Sequence, residues 1–148
     1  MRNWEIQVRV RSDAVQRDFC LLQHTLEPGY VAMPMHRKLE ASTLLQVVDG
    51  TLSVQLAERH LRLSPGEPLA IPRGHWHTFW NAGSVPVRFQ ETAAPGGLEL
   101  YYQALAPLIP RGGSPDTEAV FALSAPHGLE FDLDSLVDII ERHNVRLA

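Results

Sequence analysis

Apolar and polar residues alternate along most of the first hundred positions. Trp4, Ile6, Val8 and Val10 alternate with Glu5, Gln7, Arg9 and Arg11, the period of a strand with one wet face and one buried face. Cys20-Leu21-Leu22-Gln23-His24-Thr25-Leu26 reads as a second strand, and Thr43, Leu45 and Val47 share one face of a third. Leu52, Val54 and Leu56 alternate with Ser53, Gln55 and Ala57 after Asp49-Gly50, a hairpin signature. Leu61 and Leu63 follow a turn at Glu58-Arg59-His60, and Leu69-Ala70-Ile71 is a short buried strand entered from the tight turn at Pro65-Gly66. His77 and Phe79 share a face of the next strand. Val85 to Thr92 and Leu98 to Leu105 complete the series, separated by Ala94-Pro95-Gly96-Gly97. Many short strands with frequent Gly and Pro turns predict an all-β sandwich or barrel.

The pattern changes after residue 106. Pro107 to Pro115 is rich in breakers, and Ser114-Pro115 predicts an N-cap and first position of a short helix through about Leu123. A second helix is expected from Asp132 or Asp134, with Leu136, Val137, Ile139 and Ile140 on one stripe and Asn144 as its stop. Residues 1–106 thus form the barrel, and 107–148 a helical extension of the same domain that covers its outside or one end.

Composition narrows the class. A chain of 148 residues with 45% hydrophobic and 20% charged positions is an ordinary single globular domain. A net charge of -4, with arginines scattered singly, argues against a nucleic-acid-binding face. A DNA-reading module would need more residues and more positive charge. No stretch has the length of a membrane span. The start, Met1-Arg2-Asn3-Trp4-Glu5, lacks a signal peptide's apolar run, and a lone Cys20 suits a reducing compartment, so a cytoplasmic location is expected.

The densest information lies in Gly66 to Asn81, which reads G-x5-P-x-G-x2-H-x3-N. Gly66 permits a tight turn; Pro72 and Gly74 break the strand so that His77 starts a new one at a set distance. This spacing resembles the second motif of the cupin superfamily. A first-motif resemblance runs from Pro28-Gly29 through Pro34 and His36 to Gly50, so the likeness spans roughly residues 26 to 92. It implies a double-stranded β-helix, the cupin jelly-roll barrel, with the short C-terminal helices packed outside. In the family, His36 and His77 would be metal ligands. The other two ligand positions hold Lys38 and Thr43, where the family has histidine and glutamate.

That departure has a chemical meaning. Residues 36 and 38 are two apart on a strand, so both side chains enter the barrel together. An ammonium donates hydrogen bonds and repels a nearby cation, and Thr43 is a weak ligand beside a carboxylate. Lys38 is also the single lysine of the chain. It is read either as a solvated side chain at the barrel mouth or as an inward anion clamp or reactive amine. His75 shares parity with His77 and Glu40 with His36, so either could complete a metal site. His24 could line the pocket, whereas His60 and His127 read as solvated loop residues and His143 as suited to a helix C-terminus.

The expected pocket is His36, Lys38, Thr43, Leu45, Val47, His77 and Phe79, mostly apolar around a histidine pair. Three functional readings follow. The first is a small-molecule-binding cupin with a degenerate metal site, acting on an anionic or carbonyl-bearing metabolite. The second is a mononuclear metalloenzyme of dioxygenase or isomerase type, with one Fe, Zn, Mn or Ni ion. The third is a non-catalytic sensor or structural dimer. The resemblance further implies a homodimer, through the Trp4 to Val10 strand and outward aromatics; Trp76 and Trp80 are both expected to face a partner subunit or a covering segment.

Overall fold

The computed structural model describes residues 3–109 and 116–148. Its strands in chain order are β1 (Trp4–Val10), β2 (Cys20–Leu26), β3 (Tyr30–Val31), β4 (Met35–Lys38), β5 (Ser42–Asp49), β6 (Leu52–Leu56), β7 (Arg59–Leu63), β8 (Leu69–Ile71), β9 (His77–Trp80) and β10 (Val87–Ala94). Beyond them lie α1 (Leu98–Leu105), α2 (Thr117–Ala122), β11 (Leu129–Asp132), α3 (Ser135–His143) and β12 (Arg146–Leu147).

One sheet has the order β1-β2-β10-β5-β8. The second runs β11-β4-β9-β3-β12, with β6 also paired to β9 and β7 to β6. Alternation decides which side chains enter the space between them. Cys20, Leu22, His24 and Leu26 point inward from β2; Thr43, Leu45 and Val47 from β5; Val87, Phe89, Glu91 and Ala93 from β10. Leu52, Val54 and Phe79 from the second sheet join them in one core cluster. The architecture is mostly β, a double-stranded β-helix carrying C-terminal helices.

Several local expectations are corrected. Asp49-Gly50 is a turn but not a hairpin: β5 pairs with β10 and β8, while β6 pairs with β7 and β9, so the chain crosses between sheets there. Gly50 has φ +87, and a Cβ on it would lie 3.0 Å from the Pro86 carbonyl oxygen, so only glycine fits that crossing. The β6–β7 hairpin turns at Ala57-Glu58, before His60, which sits exposed on β7. Leu98 to Leu105 is helix, not strand. Its buried positions Leu98, Tyr101, Tyr102 and Leu105 recur at helical spacing, and each packs on the core cluster.

The C-terminal region also holds two short strands that the periodicity did not predict. Leu129–Asp132 extends the second sheet beside β4, and Arg146–Leu147 runs parallel to β3. The helix predicted to start at Ser114-Pro115 begins at Thr117, capped by the Asp116 side chain, which accepts from the Glu118 and Ala119 amides. Ser114 and Pro115 themselves lie outside the described residues. In α3, Ile139 is buried while Val137 is exposed, so the apolar stripe is Leu136, Ile139 and Ile140. Asn144 closes the helix with φ 52.

Candidate functional site

Two strands carry the motif histidines. On β4, Met35-His36-Arg37-Lys38 sends His36 and Lys38 to the same face. β9 pairs antiparallel with β4 in a register that sets His36 opposite His77. The turn that delivers His77 is fixed to β4 itself: the Gly74 amide donates to the Lys38 carbonyl at 2.7 Å. The two imidazole centroids are 4.3 Å apart.

Hydrogen bonds assign the tautomers. His36 Nδ1 lies 2.9 Å from the Pro34 carbonyl and His77 Nδ1 3.0 Å from the His75 carbonyl. A carbonyl only accepts, so each Nδ1 carries the proton and each Nε2 keeps a lone pair. His77 Nε2 is buried without a partner among the described residues. Burial, the His77 ring and the Lys38 charge together hold His36 well below the ordinary histidine value. Burial and Lys38 push His77 down to about 4. Both rings are neutral at pH 7.

Lys38 reaches across the barrel to β10. Its Nζ donates to Glu91 Oε2 at 3.0 Å, with the lysine 6% and the glutamate 1% exposed. The other carboxylate oxygen, Oε1, lies 2.9 Å from His24 Nε2. The Trp4 indole N–H donates to His24 Nδ1 at 3.0 Å, so the imidazole proton sits on Nε2 and goes to Glu91. The result is a directional chain Trp4–His24–Glu91–Lys38 through the barrel. Burial alone would raise the Glu91 carboxyl; the ammonium and the His24 hydrogen bond outweigh it and hold it well below the usual carboxylate range.

Of the seven residues expected to line a pocket, all are buried: His36, Lys38, Thr43, Leu45, Val47, His77 and Phe79. Leu45, Val47 and Phe79 serve the core cluster, and Thr43 Oγ1 is buried without a partner among the described residues. Lys38 is among the residues lining a cavity of about 340 Å³, with Glu40, Gly97, Leu98, His127 and Leu129; His36, His77 and Glu91 do not line it. The candidates meant to complete a metal site are not with the histidine pair. His75 is exposed and only its carbonyl touches the site; Glu40 is exposed at the cavity rim. His127, read as a solvated loop residue, is half-buried there, its Nδ1 donating to the Leu123 carbonyl at 2.8 Å.

Sequence reasoning missed Glu91. Its signal was there: a carboxylate at the inward parity of β10, between Phe89 and Ala93. Trp80 is 1% exposed, stacked on His143 at 4.1 Å and packed with Ile139 and Val145, so α3 is its covering segment. Trp76 is half-buried beneath the Arg37 guanidinium, 4.7 Å from the ring centre.

The donor set does not fit a divalent ion as it stands. Two neutral imidazoles remain, the nearest carboxylate is already neutralised, and the group beside them is a cation. Among the described residues, no three His, Cys, Asp or Glu side chains converge to hold a metal. No helix among them is long and apolar enough to cross a membrane.

Comparison with known proteins agrees with this architecture. A family model described as "Cupin domain" matches residues 22–93. KdgF from a Halomonas species is 17% identical at a TM-score of 0.60, covering 68% of this chain and 87% of that one. A structure described as a sugar phosphate isomerase from a cupin superfamily, from Silicibacter pomeroyi, is 24% identical at a TM-score of 0.56, covering 64% of this chain and 60% of that one. The Cupin_2 domain of an XRE family transcriptional regulator from Enterobacter cloacae is 18% identical at a TM-score of 0.55, covering 62% and 96%. At these identities the likeness is one of fold. No curated protein matches the sequence.

Proposed function

This chain belongs to the cupin superfamily, and from that premise we propose that its barrel binds a small anionic or carbonyl-bearing metabolite without a metal, using Lys38 as the fixed positive charge. The observation that carries this reading is a buried lysine that lines a cavity and shares a strand face with one of two neutral imidazoles. An ammonium on Glu91 spends one of its donors there and keeps others for a ligand oxygen. The buried lone pair on His77 Nε2 has no donor among the described residues, and leaving an acceptor so costs about 1–3 kcal/mol, which a ligand proton would recover.

These groups suit proton transfer next to a carbonyl. A neutral imidazole Nε2 takes the proton as general base, and the ammonium stabilises the oxygen on which charge develops. Glu91, held by His24 from behind, keeps Lys38 aimed. The name carried by the Silicibacter pomeroyi relative is in keeping with a phosphorylated sugar as one ligand class.

The experiment is calorimetric titration with a panel of sugar phosphates and short dicarboxylates, using inorganic phosphate as the minimal anion. Binding by at least one member, lost by tenfold or more in Lys38→Met, is the expected result. A panel that never binds, or a Lys38→Met protein that binds as well as the parent, overturns the proposal. One observation favours a second reading, the non-catalytic one: His24, His36, His77 and Glu91 are all at most 2% exposed, as core groups would be. That reading gains if the whole panel fails. As to assembly, β1 lies at a sheet edge with its polar side chains outward, which supports a homodimer built on that strand.

A further inference from the structure

A second cavity, of about 330 Å³, lies between the barrel and the C-terminal extension; Lys38, His36, His77 and Glu91 do not line it. Buried Trp4, Met33 and Tyr101 form its deep end, and the exposed Leu133 and Leu147 form its rim. We propose that this cavity binds a neutral small molecule with an apolar body about the size of two fused rings. The site is separate from the one built on Lys38 and does not depend on how that lysine is read.

The lining is chemically uniform. Trp4, Tyr101, Phe121 and Phe131 supply aromatic walls with aliphatic side chains between them, and no lining side chain among the described residues is charged. Such a surface offers water too few hydrogen-bond partners and favours an apolar occupant. The size also fits: a dry apolar cavity of about 150 Å³ takes benzene, and this one has about twice that room. Nor can the walls simply close on the space, because each is anchored elsewhere. Leu98 and Tyr102 fix α1 to the core cluster, pairing with β4 holds β11, and Ile139 packs α3 on Trp80.

The wall made by α2 is the one that lacks a packing partner. This helix has six residues, none of them fully buried, and its Val120 and Phe121 line the cavity half-buried. A helix so short has little stability of its own and depends on what its apolar side chains meet. The segment leading into it, residues 110–115, reads Pro-Arg-Gly-Gly-Ser-Pro and has no large apolar side chain to offer the space. An apolar body seated there would pack against α2 and cover Leu133 and Leu147, which are 43% and 48% exposed.

The test is titration with prodan, a neutral naphthalene dye whose emission moves to the blue in apolar surroundings, on the parent, Val120→Trp and Val137→Trp. The first variant puts a large ring into the cavity; the second puts the same ring on the exposed face of α3, outside the lining. The parent should bind one dye per chain with blue-shifted emission and melt at a higher temperature when saturated. Binding should weaken tenfold or more in Val120→Trp and stay unchanged in Val137→Trp. Thr117→Phe, which fills the cavity from its exposed side, is read in the same way if Val120→Trp does not fold. No saturable binding by the parent, the result if the chain itself or a second copy occupies the space, would overturn the site. Equal binding by the parent and a folded, filled variant would overturn it as well, since the dye would then sit elsewhere.

Discussion

Glu91 sits on the inward face of β10 with both oxygens engaged, one by Lys38 and one by His24. A buried pair is costly to form, but costlier to break from one side, because the survivor is then an unpaired charge. Glu91→Gln should cost about 3–5 kcal/mol of stability, measured by urea unfolding at pH 7. A loss below about 1 kcal/mol, the scale of an exposed pair, would mean that the ammonium is solvated. The histidines add a pH dependence. His77 titrates near 4 in the folded chain, against about 6.5 when unfolded. Between those values the unfolded state binds the extra proton, so stability falls as pH drops from 6.5 toward 4, by up to about 1.4 kcal/mol per pH unit for each such group. His36 acts in the same direction. Unfolding free energies at pH 7, 5.5 and 4.5 should decline in the parent and decline less in His77→Gln; equal slopes would contradict the buried, neutral assignment. At this scale the sequence revealed the two motif histidines, because their turn chemistry is local. The partner of Lys38 was hidden, since residues 38 and 91 meet only when two sheets face each other.

Elements were legible where their periodicity was plain. The alternation in β1, β2, β5 and β10 is the observed burial pattern. Leu98 to Leu105 was read as a strand because the apolar run is short, and length alone separates neither state. Its buried positions fall at helical spacing, and the core they meet is non-local. The two short strands β11 and β12 carry little pattern of their own and exist by pairing with β4 and β3. α3 is held by one buried residue, Ile139, against Trp80, Val31 and Val145. Ile139→Ala should cost about 2–5 kcal/mol and leave Trp80 less covered. The check is a red-shifted tryptophan emission under native conditions; an unchanged spectrum with unchanged stability would show that α3 does not seal that face.

For the molecule as a whole, the barrel follows from the cupin pattern and from many short strands punctuated by turns, and the cupin family model matched over residues 22–93 agrees with the observed double-stranded β-helix. Assembly is a separate matter. Trp80 is withdrawn beneath α3, so a dimer interface has β1 and the half-buried Trp76 to draw on. Sedimentation equilibrium should give twice the chain mass, and a monomer at all concentrations would rule that interface out. Chemistry is less legible than architecture, because a fold accepts many sites and the residues that would narrow the choice are the altered ones. Two family ligand positions hold Lys38 and Thr43, and the structure pairs the first with a carboxylate from another sheet. The account therefore stands or falls on whether that ammonium is the site's cation. The most direct measurement is metal content per chain by mass spectrometry, on protein purified without a histidine tag or chelator, beside a His77→Ala control. The prediction is a trace of metal that is the same in both. Near-stoichiometric iron, zinc, manganese or nickel that disappears in the variant would contradict it.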